Sequence, residues 1–201
     1  MDVFETAKEL FREHLEMDND AFLNELAGDA DYVEVPKGTV LFREGEPIRD
    51  CYALLEGLMR WSYVLDGEEI TEALICDRGT VVYPSFFLRS DAPANASVLT
   101  LTDCKLLHIP AGVLLEMKRR YPEFAEAHLF LVERFTERVA KFRRAIMPLS
   151  PTKRYQYFAE KRPYLAENVP QKYIASFLGM TPVSLSRIRS RIKEMEAENK
   201  Q

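Results

Sequence analysis

Apolar residues recur at different spacings along this chain, and each spacing marks a different stretch. Over residues 2–27, Val3, Phe4, Ala7, Leu10, Phe11 and Leu15, then Phe22, Leu23 and Leu26, alternate with acidic positions at three- and four-residue steps. That period predicts one or two amphipathic helices. From about Asp31 to Ile109 the texture changes to short runs rich in β-branched and aromatic residues: DYVEV, TVLF, CYALL, LMRWSYVL, EITEALI, TVVY, SVLTL and KLLHI. Gly38, Gly45, Gly57, Gly67 and Gly79 fall between them at intervals of 7 to 12 residues. Short strands punctuated so regularly predict an antiparallel sandwich or barrel.

The segment Gln171 to Ile192, QKYIASFLGMTPVSLSRIRSRI, meets the steric demands of two short crossing helices. Ala175 is small enough for a close crossing, and four residues later Gly179 supplies the positive φ that a tight turn favours. Thr181 reads as an N-cap and Pro182 as the first helical residue. Leu185, Ile188, Ile192 and Met195 recur on one face, which is expected to meet a core. Val183, Ser184, Arg187, Ser190 and Arg191 lie on or beside the other. A face of small residues and arginines suits a DNA major groove, whereas a plain helical hairpin would merely solvate it. Gln171 and Lys172 open the first helix where phosphates would be anchored, and Arg187 is placed to read a base edge.

Upstream of this segment a long helix is predicted. Pro122 fits a first turn, no Gly or Pro then interrupts the chain until Pro148, and the span is roughly 37 Å at the helical rise. Phe124, His128, Leu131, Phe135, Arg138 and Phe142 recur along it at alternating steps of four and three, a coiled-coil seam. Such a seam either pairs with a second copy or packs on its own barrel. Self-pairing is the expectation, because helix-turn-helix proteins usually read two half-sites as a symmetric dimer. Met147 to Pro151 forms the hinge, with Ser150 and Pro151 as cap and first turn of a new helix. The expected division is 1–147, with the long helix at about 121–147, and 148–201.

The chain's 201 residues, 47% of them hydrophobic, suffice for a proper core without staples. With no apolar run of about eighteen residues and no charged leader, a membrane span or secretory signal is unsupported and a cytoplasmic location is expected. The net charge of −5 divides unevenly. Residues 150–201 hold 10 Lys/Arg against 5 Asp/Glu, while residues 1–149 hold 17 against 27. Positive charge therefore gathers where the two-helix segment lies, as phosphate binding requires. Cys51, Cys76 and Cys104, 25 and 28 residues apart and without a CxxC pair, do not make a zinc or iron–sulfur set, and His14, His108 and His128 are equally scattered. No metal site and no catalytic residue is expected, since P-loop, GxSxG and HExxH motifs are absent and a cupin would need more than one histidine in the strand region.

In this order the chain resembles transcription regulators of the Crp/Fnr type, the family of the cyclic-AMP receptor protein. The resemblance spans essentially the whole chain. It rests on PKGTVLFREGEP (Pro36–Pro47), CYALLEGLMRWSYVLDGEEI (Cys51–Ile70), Gly79 and YIASFLGMTPVSLSRIRSRI. It implies an α+β architecture: a cyclic-nucleotide-binding-type β-roll (a double-stranded β-helix or jelly roll), a long dimerisation helix and a C-terminal helix-turn-helix. After Arg191 only IKEMEAENKQ remains, so the usual β-hairpin wing is missing or unrecognisable. As partners it implies a second copy of the chain, a palindromic operator in double-stranded DNA and RNA polymerase.

The chain departs from the family at the phosphate-binding cassette. Tyr83 and Pro84 stand where Gly-Glu belongs, and Ala94 and Asn95 where Arg-Ser belongs. An arginine offers a cyclic phosphate a bidentate fork and a fixed charge, and alanine offers neither. Three readings of the sensor stand. It binds another small-molecule effector in a cavity lined by Tyr83, Ser85, Phe86, Asn95 and Ser97; it is a ligand-free dimerisation body; or it binds a cyclic nucleotide in an unfamiliar manner. Arg89 is the nearest spare cation, in a stretch that reads as a polar loop. In the second helix Pro182 and Val183 replace an Arg and a Glu of the family, and Arg187 matches a second recognition arginine. That pattern implies a changed operator. A cyclic-nucleotide module that regulates without DNA is the competing function.

Overall fold

The computed structural model describes residues 2–83 and 93–198. Helices α1 (Val3–Leu15) and α2 (Asp20–Gly28) cover the amphipathic start. The Asp2 carboxylate accepts from the Glu5 N–H at 3.3 Å, and Asn19 Oδ1 accepts from the Phe22 N–H at 3.1 Å. Both caps satisfy first-turn donors that have no intrahelical partner.

Among the described residues eight strands follow: β1 (Asp31–Val35), β2 (Val40–Phe42), β3 (Asp50–Glu56), β4 (Met59–Leu65), β5 (Glu68–Ile75), β6 (Val81–Val82), β7 (Ser97–Thr100) and β8 (Cys104–Pro110). They form two antiparallel four-stranded sheets, ordered β1-β8-β3-β6 and β2-β7-β4-β5. Each glycine-punctuated run becomes one strand, as the alternating pattern predicts. Alternation divides the first sheet's residues between two cores. Cys51, Ala53, Leu107 and Ile109 meet Ala7, Leu10, Phe11, Phe22 and Leu23 of the helices, while Leu54 and Leu106 turn inward to Phe42, Met59, Val82 and Val98. Gly79 (φ +81°) is needed where α1 meets the sheet, because a Cβ there would sit 1.9 Å from His14 Nε2.

Helix α3 (Ala111–Arg120), in a stretch for which no element is predicted, packs beside β8 and α2 with Met117 fully buried. Helix α4 (Glu123–Ile146) is the long helix, 24 residues and about 36 Å. Beyond it come α5 (Pro151–Lys161), α6 (Pro163–Asn168), α7 (Gln171–Phe177) and α8 (Pro182–Glu198). Ser150 caps α5 by accepting from the Lys153 N–H. Phe158, Ile174, Ala175, Leu178 and Leu185 form the core of this terminal unit, and Leu58 and Leu101 of the roll are buried in the same cluster. Apolar packing therefore runs across the hinge.

Candidate functional site

The α7–α8 pair is built as its sequence dictates. Ala175 is wholly buried at the crossing and Gly179 takes φ +65° in the turn. Thr181 Oγ1 accepts from the Ser184 N–H at 3.1 Å, and Pro182 begins α8. Leu185 is buried and Ile188 and Ile192 are half-buried, whereas Met195, expected on the same face, is 40% exposed. It lies beyond the last turn that has a core to meet. Val183, Ser184, Arg187, Ser190 and Arg191 are exposed, as are Thr181, Pro182, Gln171 and Lys172. The Lys172 ammonium lies 4.8 Å from the centre of the Tyr173 ring.

Arg154, which sequence reasoning passed over, fixes this turn. Its Nη1 donates to the Leu178 carbonyl at 2.8 Å and its Nη2 to Leu149 at 3.3 Å, tying α5 to the end of α7 and to the hinge. A single arginine spaced on an amphipathic helix gives no sequence signal for such a role.

The predicted seam on α4 faces the chain's own body. Phe124 is buried against Phe22, with ring centroids 6.0 Å apart, and His128 stacks on Phe124. Phe135 stacks on Trp61, Arg138 pairs with Asp77 at 3.5 Å, and Phe142 stacks on Phe177 at 5.1 Å. Leu131, between His128 and Phe135 on the same stripe, is half-buried. Within one chain the expected seam of Phe124, His128, Leu131, Phe135, Arg138 and Phe142 therefore meets the roll and the terminal helices, with Arg138 exposed and Leu131, Phe135 and Phe142 half-buried. A second stripe with the same four-and-three steps lies beside it: Ala125, Leu129, Val132, Thr136 and Val139. Leu129 is 56% and Val139 38% exposed.

Of the expected effector-pocket residues, Tyr83, Asn95 and Ser97 are among the described residues. Ser85 and Phe86 lie outside the described residues, as do Pro84 and Arg89. Asn95 is exposed, and Ser97 Oγ accepts from the Glu44 N–H at 3.0 Å. Tyr83 packs between the two roll clusters with its hydroxyl buried and unpartnered, and burial pushes its phenol up. A cavity of about 390 Å³ opens beside Ala94, with Phe42 and Pro47 as apolar lining and Arg43, Arg49, Glu46 and Asp50 around it. Reciprocal bonds frame it, Gly45 N–H to Ala94 O and Ala94 N–H to Glu46 O, both 2.8 Å. His108 holds Asp50 at 2.8 Å.

All three cysteines are reduced. Burial pushes the Cys51 thiol up to about 12. Among the described residues no three His, Cys, Asp or Glu side chains gather as a metal set, and no helix is long and apolar enough to cross a membrane.

Two antiparallel sheets closed by helices, a long helix and a crossed two-helix unit define a β-roll joined to a helix-turn-helix. Residues 32–121 match the family of the cyclic nucleotide-binding domain. Patatin-like phospholipase domain-containing protein 7 of Rattus norvegicus is 30% identical over 103 residues, 51% of this chain; the chain spans 8% of that relative's length. FixK2 from Bradyrhizobium japonicum superposes with a TM-score of 0.68 at 16% identity, over 83% of this chain and 86% of its own. The c-di-GMP responsive global regulator CLP of Xanthomonas campestris superposes at 0.65 and 17%, over 90% and 93%. At these identities the likeness to the two structures is one of fold. Residues 32–121 thus resemble a cyclic nucleotide-binding domain, and the fold of most of the chain is shared with FixK2 and CLP.

Proposed function

We propose that this chain is a dimeric, sequence-specific DNA-binding transcription regulator whose roll responds to a small molecule other than cyclic AMP. The observation that carries the reading is the capped helix α8, which presents Val183, Ser184, Arg187, Ser190 and Arg191 to solvent from a buried crossing at Ala175. In this reading Arg187 and Arg191 meet base edges and phosphates, Val183 supplies an apolar contact, and Gln171, Lys172, Thr181 and Pro182 border the backbone. The two units are 1–147 and 148–201.

The partner in this reading is a second copy, joined along Ala125, Leu129, Val132, Thr136 and Val139. These positions have coiled-coil spacing on α4, and within one chain all but the half-buried Val132 are exposed. Two such copies place their α8 helices on a palindromic operator, and RNA polymerase is the protein that reads the outcome. Loss of the cassette arginine at Ala94 argues for an effector held otherwise than a cyclic phosphate. Selection from random double-stranded DNA, with the mass of the complex measured by light scattering, tests the reading. An inverted repeat bound by two chains is expected; no enriched motif, or a motif without symmetry bound by one chain, would overturn it.

A further inference from the structure

Arg60, on β4, is the one fully buried charged residue among those described, at 2% exposure. Its Nε donates to Thr71 Oγ1 at 2.9 Å and its Nη1 pairs with Glu69 Oε2 at 2.6 Å, both partners on β5. Its planar face lies 4.1 Å from the centre of the Tyr173 ring, which comes from α7. Three residues further along α7, on the same helical face, Ser176 Oγ accepts the Thr71 N–H at 2.8 Å. β5 ends its sheet, so among the described residues its outer backbone groups have no strand to pair with. The first helix of the reading unit therefore closes the open edge of the sensor sheet, and a desolvated guanidinium grips that helix by its aromatic ring. Phe177 adds an apolar anchor against Phe142 and Phe158, and Asp77 ties Arg162 and Arg138 together across the same junction.

None of these contacts touches the outward face of α8, so docking leaves that face free. What docking restricts is orientation. A reading unit tethered only through residues 147–150 would swing and accept half-sites at many separations, whereas one clamped to the roll is carried at a fixed angle.

We propose that Arg60 is a positioning residue for DNA reading: by holding Tyr173 it sets the angle of α7 on the roll, and so selects the half-site spacing that the dimer accepts. The proposal rests on the DNA-binding reading above. The neighbouring residue on the strand points the other way, Trp61 lying against Phe135 of α4, so one strand fixes both the long helix and the reading unit relative to the roll.

The test uses the full chain, as wild type, Arg60→Ala, Arg60→Lys and Tyr173→Leu, on the selected operator with its half-sites moved apart or together by single base pairs. Wild-type affinity should peak at one spacing and fall about tenfold or more at about two base pairs away. Arg60→Ala and Tyr173→Leu should flatten that profile to within about threefold while keeping the affinity for one isolated half-site, with Arg60→Lys between. Hydrogen exchange at the Thr71 amide reads the same docking without DNA, slow in wild type and fast in Arg60→Ala. Tyr173→Leu removes the grip without stranding a charge, and carries the test if Arg60→Ala does not fold. An unchanged spacing profile in the variants, or a Thr71 amide that stays protected in them, overturns the proposal. A wild-type chain that binds no DNA overturns the parent reading instead, and the Thr71 exchange then still decides whether Arg60 holds α7.

Discussion

The ring of Phe135 lies over that of Trp61, centroids 6.4 Å apart and planes 28° from parallel, so the middle of the long helix is fastened to the β-roll through its aromatic stripe. Within one chain that stripe meets the roll and the terminal helices, and the stripe beside it is the more exposed. Dimerisation should depend on the stripe beside it. Leu129→Asp with Val139→Asp is expected to give a folded monomer whose stability is close to that of wild type, because both side chains are exposed within one chain. Phe135→Ala should instead cost about 1–3 kcal/mol of stability while leaving the dimer. Light scattering and urea titration separate the two. A dimer that survives both aspartates would move the interface elsewhere.

Arg187 should carry sequence information and Lys172 should not. Arg187 lies one turn beyond Val183 on the exposed side of α8, and a bidentate arginine–guanine pair discriminates by about 1–3 kcal/mol. Arg187→Ala should flatten preference at one symmetric pair of operator positions. Lys172→Ala should weaken all sequences alike and lower the salt slope by about one. Retention of the full motif by Arg187→Ala would show that another face of α8 enters the groove.

Cyclic AMP should bind weakly or not at all. Ala94 is buried beside the cavity and offers no charge where the cassette arginine belongs, and each lost charge-assisted phosphate contact commonly costs about 2 kcal/mol or more. Calorimetry giving micromolar or tighter affinity would contradict this.

Stability should fall on mild acidification through His128. Burial, and then the nearby charge of Lys118, lower its proton affinity in the fold, so the unfolded chain binds that proton more readily. The contribution is complete above the ordinary histidine value of about 6.5 and is lost as pH drops from there toward the lower folded value. His128→Leu should remove that slope from urea midpoints taken at about pH 7.5 and 5.5. An equal slope in the variant would assign it to other groups.

Cys51 should resist thiol reagents in the native state. It is 2% exposed with its thiol pushed up to about 12, so almost no thiolate is present at neutral pH. Labelling that tracks global unfolding is expected, and fast labelling of Cys51 in native buffer would place it in an open site.

The sequence was most legible where a local rule leaves few alternatives. Glycines between alternating runs separated the first six strands, and Ala175, Gly179, Thr181 and Pro182 specified the α7–α8 turn, because closest approach, positive φ and capping are demands of neighbouring backbone. The long helix was equally plain from its uninterrupted stretch. Helix α3 carries only a weak sequence signal although Val113, Leu114 and Met117 have helical spacing, since ten residues after a strand give a short and ambiguous period.

What the sequence by itself determined was the order of elements, the two crossing helices with their exposed arginines, and the loss of the cassette's charged residues. What only the tertiary structure decided was which of two adjacent stripes on α4 faces inward. Phe124, Phe135 and Phe142 and the stripe Leu129, Val132 and Val139 share one heptad period, so spacing alone does not rank them. The choice falls to the partners folding brings up, Phe22, Trp61 and Phe177, each from a distant part of the chain. The same holds for Arg60. An arginine amid LMRWSYVL becomes a clamp only because β5 and α7, separated from each other by about a hundred residues, close over it. Local periodicity fixes what a segment can become, and burial of the largest apolar surface fixes what it meets.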